Sequence, residues 1–105
     1  MALRFTEPAL RDLSDIAAWV APLSPAGYAN VVASVRRTLK FIERNPQYGR
    51  PGGRENLRVA LETTYKHLIY FYVRGEDVWV LRIYNGRRKP LDPRALGFPQ
   101  GDERS

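Results

Sequence analysis

The densest concentration of chemically capable side chains lies between residues 82 and 89, Arg82-Ile83-Tyr84-Asn85-Gly86-Arg87-Arg88-Lys89. Four cations in so short a run suit an anionic partner, because Arg and Lys hold phosphate oxygens by charge and hydrogen bonds without reading sequence. The competing reading is a solvated strand edge, where basic side chains discourage strand-to-strand association. Cleaving a phosphodiester would demand more: cations on the scissile phosphate and a group that moves protons. That second requirement is poorly met. His67 is the only histidine, and alternation places it on one face with Ile69 and Phe71, so it reads as a structural histidine. Tyr84 or Tyr72 would have to substitute, although tyrosines in a sheet more often serve packing. A catalytic set would comprise Arg82, Arg87, Tyr84 and His67, and binding is the better-supported chemistry.

Other chemistries find no support. One histidine, no cysteine and scattered carboxylates give no convergent metal site. Gly49, Gly52 and Gly53 neither follow a strand nor open a helix, so no phosphate-cradling loop is expected. The serines lack a histidine partner, and no cofactor is expected. The 17 basic and 11 acidic residues give a net charge of +6, with most of the basic excess between Arg36 and Arg94. That asymmetry steers the chain toward nucleic acid, a nucleoprotein machine or an acidic protein. Arg36, Arg37, Lys40 and Arg44 read as a solvated helix face. No run approaches the roughly 18 apolar residues of a membrane span, and the amino terminus lacks an apolar leader, so a cytoplasmic protein without membrane contact is expected.

These residues need elements to position them. Leu3-Arg4-Phe5 reads as a first strand, followed by Thr6 as N-cap with Glu7 and Pro8 in the first turn. Leu10, Leu13, Ile16, Ala17 and Val20 recur at helical spacing, and Arg11, Asp12 and Asp15 take the other side. That helix should stop near Ala21, before Pro22. Ser24-Pro25 opens a second helix in the order cap, then proline. Tyr28, Val32, Val35, Leu39 and Ile42 form its apolar stripe, and Asn45-Pro46 ends it. The short connection folds the helices into an antiparallel hairpin. Residues 45–56 hold two Pro and three Gly and read as a loop. Three strands follow: Leu57–Glu62, Tyr65–Val73 and, after the turn Arg74–Asp77, Val78–Tyr84.

The period-2 rule then assigns faces. If the apolar sets Leu57/Val59/Leu61, Ile69/Phe71/Val73 and Trp79/Leu81/Ile83 pack under the helices, the opposite face carries Arg58, Tyr70, Tyr72, Arg82 and Tyr84. That face would be aromatic, cationic and open. Trp79 and Tyr28 read as core, while Trp19 lies near the tip of the hairpin, off its helix's main stripe.

The expected fold is α+β. An N-terminal strand and an antiparallel helical hairpin pack on one face of a mainly antiparallel four-stranded sheet, in the order β-α-α-β-β-β. Residues 1–90 form one domain and 91–105 an irregular tail. Along that order run short motifs: Ala9-x-x-Asp12-Leu13-x-x-Ile16, Asn45-Pro46-x-x-Gly49-Arg50, Leu57-Arg58, Leu68-Ile69-Tyr70-Phe71-Tyr72, and Val80-Leu81-Arg82-Ile83 leading to Asn85-Gly86-Arg87-Arg88. Each is a few common residues, but the ordered set over about residues 3–90 resembles the RelE/ParE toxins of type II toxin–antitoxin systems.

The resemblance implies two activities. RelE-like members are ribosome-dependent mRNA endoribonucleases, and ParE-like members share the fold but poison DNA gyrase. Both are neutralised by an antitoxin encoded beside them. This sequence departs from the nuclease pattern. His67 stands about where RelE-like nucleases carry arginine, Asn85 stands where histidine often precedes Gly-Arg, and Lys89-Pro90-Leu91 replaces a late Tyr or His. The ParE-like reading is therefore favoured, a toxin that binds rather than catalyses. On that reading Arg58, Arg82, Asn85, Arg87, Arg88 and Lys89 contact the target. Trp19, Tyr70, Tyr72 and Tyr84 receive an acidic, ParD-like antitoxin in a hetero-oligomer, since aromatics and Arg are favoured interface anchors.

Overall fold

A computed structural model describes residues 2–20 and 25–85. The elements are β1 (Ala2–Phe5), α1 (Glu7–Val20), α2 (Pro25–Arg44), β2 (Arg50–Pro51), β3 (Leu57–Glu62), β4 (His67–Arg74) and β5 (Asp77–Asn85). The strands form one mixed sheet in the order β1-β5-β4-β3-β2. Four of the five strands pair antiparallel, whereas β1 runs parallel to β5, Ala2 opposite Asp77 and Phe5 opposite Val80.

The α+β class and element order match the sequence reading, with one strand added. Arg50-Pro51, expected within a loop, pairs with Val59 and Arg58 at the sheet edge. An edge is where proline's missing N–H is tolerated. Gly49 has φ +90, and a Cβ there would collide with the Val59 carbonyl. Glycine is what lets the chain press against β3 as it leaves α2.

Thr6 is the N-cap the sequence indicated: its Oγ1 accepts the Ala9 amide at 3.2 Å. The same hydroxyl donates to the Leu81 carbonyl at 3.0 Å, so the cap also pins α1 to β5. Val31, Val35, Leu39 and Ile42 of α2 join Ala9 of α1 over Ala60, Ile69, Phe71, Val78, Val80 and Ile83 of the sheet. Val31 thus replaces the two stripe residues expected at the start of α2, for Val32 is half-buried and Tyr28 exposed.

Two strands face the other way from the expectation. Leu57 and Val59 lie away from the helices, with Leu68, Tyr70, Tyr72 and Leu81, and with Trp79 and Tyr84 packed beside them. Trp79 is accordingly not part of the helix-side core. In β3 the small Ala60 is the residue under α2, and Glu62 follows it. In β5, Tyr70 pairs with Arg82 and Phe71 with Val80, leaving Leu81 as an extra bulged residue. A bulge reverses side-chain parity. Val78 and Val80 therefore face the helices before it and Ile83 after it. Nor is the outer face open: Tyr70 is 3% exposed and Tyr72 9%.

Candidate partner-binding site

β1 ends at Phe5 while β5 continues to Asn85, so the second half of β5 would present a bare edge. α1 supplies what a strand would have given. Oδ2 of Asp12 accepts the Ile83 amide at 2.9 Å and the Arg82 Nε–H at 2.7 Å, and Oδ1 accepts the Arg82 Nη2–H at 3.0 Å. This bidentate fork is the strong form of the Arg–carboxylate pair. The hydrogen bond to Asp12 raises the Arg82 pKa above its ordinary value, outweighing partial burial. Arg82, expected to be displayed on an open face, is instead consumed in holding β5 to α1. Asp12 looked like a solvated carboxylate by helical spacing. Only the fold brings it to β5.

The other expected residues do not converge. His67 Nδ1 lies 3.0 Å from Oε1 of Glu62, which is fully buried. Oε2 of that carboxylate accepts the Ser34 hydroxyl at 2.6 Å and the Thr64 amide at 2.7 Å, and both oxygens receive the Tyr65 amide. Burial pushes the Glu62 carboxyl up, yet the bonds from Ser34, His67 and the two amides together bring it below the ordinary glutamate range. The group is an anchor tying the β3–β4 turn to α2, and His67 belongs to it on the helix side of the sheet. Tyr84 packs on the opposite side, against the outer cluster. Arg58 is not on the outer face either. It takes the side away from Leu57 and Val59 and donates to the carbonyls of Tyr48, at 3.1 Å, and Gly49, at 2.6 Å. The backbone of Asn85 pairs with His67. The side chains of Asn85 and Trp19, and all of Arg87, Arg88 and Lys89, lie outside the described residues. Among the described residues no three His, Asp or Glu gather as a metal site would require, and no helix is long and apolar enough to cross a membrane.

Sequence reasoning missed a further feature, a groove between the two helices and β1. Its volume is about 420 Å³, with an apolar floor of Leu3, Phe5, Leu13, Ile16, Val32 and Leu39 and a rim that includes Arg36 and Lys40. Leu3, Phe5, Leu13, Ile16 and Val32 stay half-buried there, while Leu39 is buried beneath them. The periodicity of Leu13, Ile16, Val32 and Leu39 did signal an apolar seam. It was silent on whether the seam is filled from within. Arg36 and Lys40, read as a solvated face, border it.

A family model described as "ParE toxin of type II toxin-antitoxin system, parDE" matches residues 3–90. Among solved structures, a chromosomal ParDE toxin–antitoxin system from P. aeruginosa is similar, with a TM-score of 0.71 at 25% identity. The match covers 81% of this chain and 95% of that one. No curated protein is a significant match to the sequence.

Proposed function

This chain belongs to the ParE family of type II toxins, and from that premise we propose that it inhibits DNA gyrase by binding and is neutralised by a cognate antitoxin. The observation that carries the choice of binding over cleavage is the dispersal of the nuclease candidates. His67 is bonded to Glu62 on the helix side, Tyr84 packs on the outer side, and Arg82 is committed to Asp12. General acid–base catalysis needs its groups within hydrogen-bond reach of one reacting centre. Stabilising a DNA-bound state of gyrase asks only for a complementary surface.

Within that reading the target-contacting residues are Asn85, Arg87, Arg88 and Lys89, which follow directly from the latched end of β5. Arg82 and Arg58 act indirectly, by holding β5 and the residue 48–49 loop. Rigid attachment matters because a phosphate-gripping run is effective only when its scaffold fixes its direction.

The antitoxin belongs in the groove. Its apolar floor and the cations Arg36 and Lys40 fit an amphipathic helix with an apolar row and an acidic flank, as in helix-in-groove recognition. The partner is thus ParD-like and acidic, the complex a hetero-oligomer, and the setting the cytoplasm, where gyrase and DNA are found.

The experiment is a pair of assays on purified chain. Gyrase supercoiling of relaxed plasmid should be inhibited, and restored by the antitoxin encoded next to the gene. Primer extension on translated messages should show no new cuts. Cuts inside ribosome-occupied codons with normal supercoiling would establish the RelE-like mRNA endoribonuclease instead. Silence in both would indicate a chain retained only as half of a repressor complex.

A further inference from the structure

Two large rings stand at the surface where α2 ends. Phe41 is 48% exposed and Tyr48 36%, and their centroids lie 4.8 Å apart in an edge-to-face pair, the planes at 82°. Neither ring is a core residue, yet the backbone of both is held. The Phe41 carbonyl accepts the Asn45 backbone amide at 2.9 Å and its side-chain amide at 3.0 Å, which fixes the last turn of α2. The Tyr48 amide donates to the Asn45 carbonyl at 2.9 Å, and Arg58 grips the carbonyls of Tyr48 and Gly49. An edge-to-face pair uses one of its four ring faces, so flat apolar surface remains for a ligand. Arg37 and Arg44 stand four residues before Phe41 and three after it, on one helix face, and both are exposed. Arg50, two residues beyond Tyr48, is exposed as well. Arg36, Lys40 and Glu43 line the antitoxin groove, whereas Arg37, Phe41 and Arg44 are not among its lining residues.

We propose that this patch binds a single strand of nucleic acid without reading its sequence, stacking bases on Phe41 and Tyr48 and holding phosphates with Arg37, Arg44 and Arg50. Charge is the first argument for that occupant. Between residues 36 and 50 the charged side chains are Arg36, Arg37, Lys40, Arg44 and Arg50 against Glu43, and Glu43 lines the groove instead. A second copy of the chain would bring the same cations against this face, and like charges oppose that contact. The kind of apolar surface is the second argument. The groove offers an aliphatic floor suited to a helix, whereas this patch offers ring faces interleaved with guanidinium groups. Aromatic platforms beside cations hold unpaired bases and their backbone whatever the sequence. A duplex keeps its bases stacked on one another and gives the rings nothing to hold, and an acidic peptide would answer the charge while leaving the rings idle. Preorganisation is the third argument: the Asn45 and Arg58 bonds fix the backbone of both ring residues before a ligand arrives, which lowers the ordering cost of binding. None of these contacts involves gyrase, so the inference stands apart from gyrase inhibition.

The test titrates the purified full chain into fluorescently labelled oligothymidylate, oligouridylate, a duplex of equal length and a polyglutamate peptide, read by anisotropy. At least one single strand should bind with a Kd of roughly 1–100 µM, and the tighter of the two identifies the preferred sugar. Because basic residues elsewhere in the chain also attract phosphate, the rings decide the outcome. Phe41→Ala should weaken single-strand binding at least about fivefold while leaving duplex binding unchanged, and Phe41→Trp should restore it. Arg37→Ala with Arg44→Ala should flatten the dependence of log Kd on log salt by about 1.4, at about 0.7 per phosphate contact. Leu10→Ala, at a leucine of α1 that is 53% exposed, should change nothing. A second readout needs no variant: the ring-proton resonances of Phe41 and Tyr48 should shift when oligothymidylate or oligouridylate is added. Rings that do not shift, single-strand binding undiminished in a folded Phe41→Ala chain, or an equal loss on the duplex would each overturn the proposal. Ring-dependent binding of polyglutamate in place of the single strand would overturn it too and assign the patch to an acidic protein.

Discussion

Removing the Asp12 carboxylate should loosen the end of β5 and destabilise the whole domain. Asp12 accepts three hydrogen bonds, two from the Arg82 guanidinium and one from the Ile83 amide. Its side chain is 13% exposed and that of Arg82 28%. Hydrogen bonds to charged groups contribute about 1.5–3 kcal/mol each, and an amide left without an acceptor costs about 1–3 kcal/mol. Severing a fully buried ion pair costs about 3–5 kcal/mol, but Arg82 is near enough to solvent to recover part of its hydration. Asp12→Ala should therefore destabilise by about 2–4 kcal/mol. Asp12→Asn, which keeps one oxygen for the Ile83 amide, should lose about half that. For a domain of about this size 1 kcal/mol shifts Tm by roughly 4–8 °C, so the alanine variant should melt roughly 10–25 °C lower. Urea unfolding of Asp12→Ala, Arg82→Ala and the double variant measures the coupling, expected at about 1–2 kcal/mol. If both single variants fall within about 0.5 kcal/mol of the parent, the carboxylate is an ordinary surface residue and the latch does not exist.

Other expectations follow from the same contacts. Glu62 is held below the ordinary carboxylate pKa of 4.5, so the stability it supplies is present in full above that pH and is lost as pH falls through its lower folded value. Urea midpoints measured downward from pH 5 should drop, and Glu62→Gln should be less stable at pH 7 with a flatter acid limb. Gly49→Ala should cost more than about 2 kcal/mol, because positive φ and the Val59 carbonyl both oppose a Cβ. Gly75→Ala, at φ +57 with open space around it, should cost about 1–2 kcal/mol, the left-handed penalty alone, in the same denaturation assay. Val32→Arg should leave folding intact by circular dichroism and weaken antitoxin binding at least tenfold by calorimetry, without changing gyrase inhibition. An equal loss of both activities would mean that the groove is not a separate site.

Much of this fold is legible wherever local chemistry is decisive. Thr6 signals a cap, Ser24-Pro25 and Asn45-Pro46 bracket α2 to the residue, and β-formers mark β3, β4 and β5. What stays hidden is long-range or parity-dependent. A two-residue strand at Arg50-Pro51 has no periodicity to detect. The sequence Val78-Trp79-Val80-Leu81 is apolar on both faces, so nothing local decides which side meets the helices, and the bulge at Leu81 then changes the answer midway. Ala60 and Glu62 resemble the solvated side of β3 until Ser34 is brought to within hydrogen-bond reach. The site suffers from the same blindness. Arg82 and Arg58 read as ligand-binding cations because their intramolecular acceptors, the Asp12 carboxylate and the Tyr48 and Gly49 carbonyls, are 70, 10 and 9 residues away in sequence.

The most direct test of binding-type toxicity is accumulation of gyrase-bound, cleaved DNA. Plasmid, gyrase and ATP are incubated with the full chain, then quenched with detergent and protease to trap broken strands. Linear product should rise with the amount of chain, and replacing Arg87, Arg88 and Lys89 together by alanine should abolish that rise while leaving the melting temperature within a few degrees. No linear product at any concentration of folded chain, or an undiminished yield from the triple variant, would contradict the mechanism set out above.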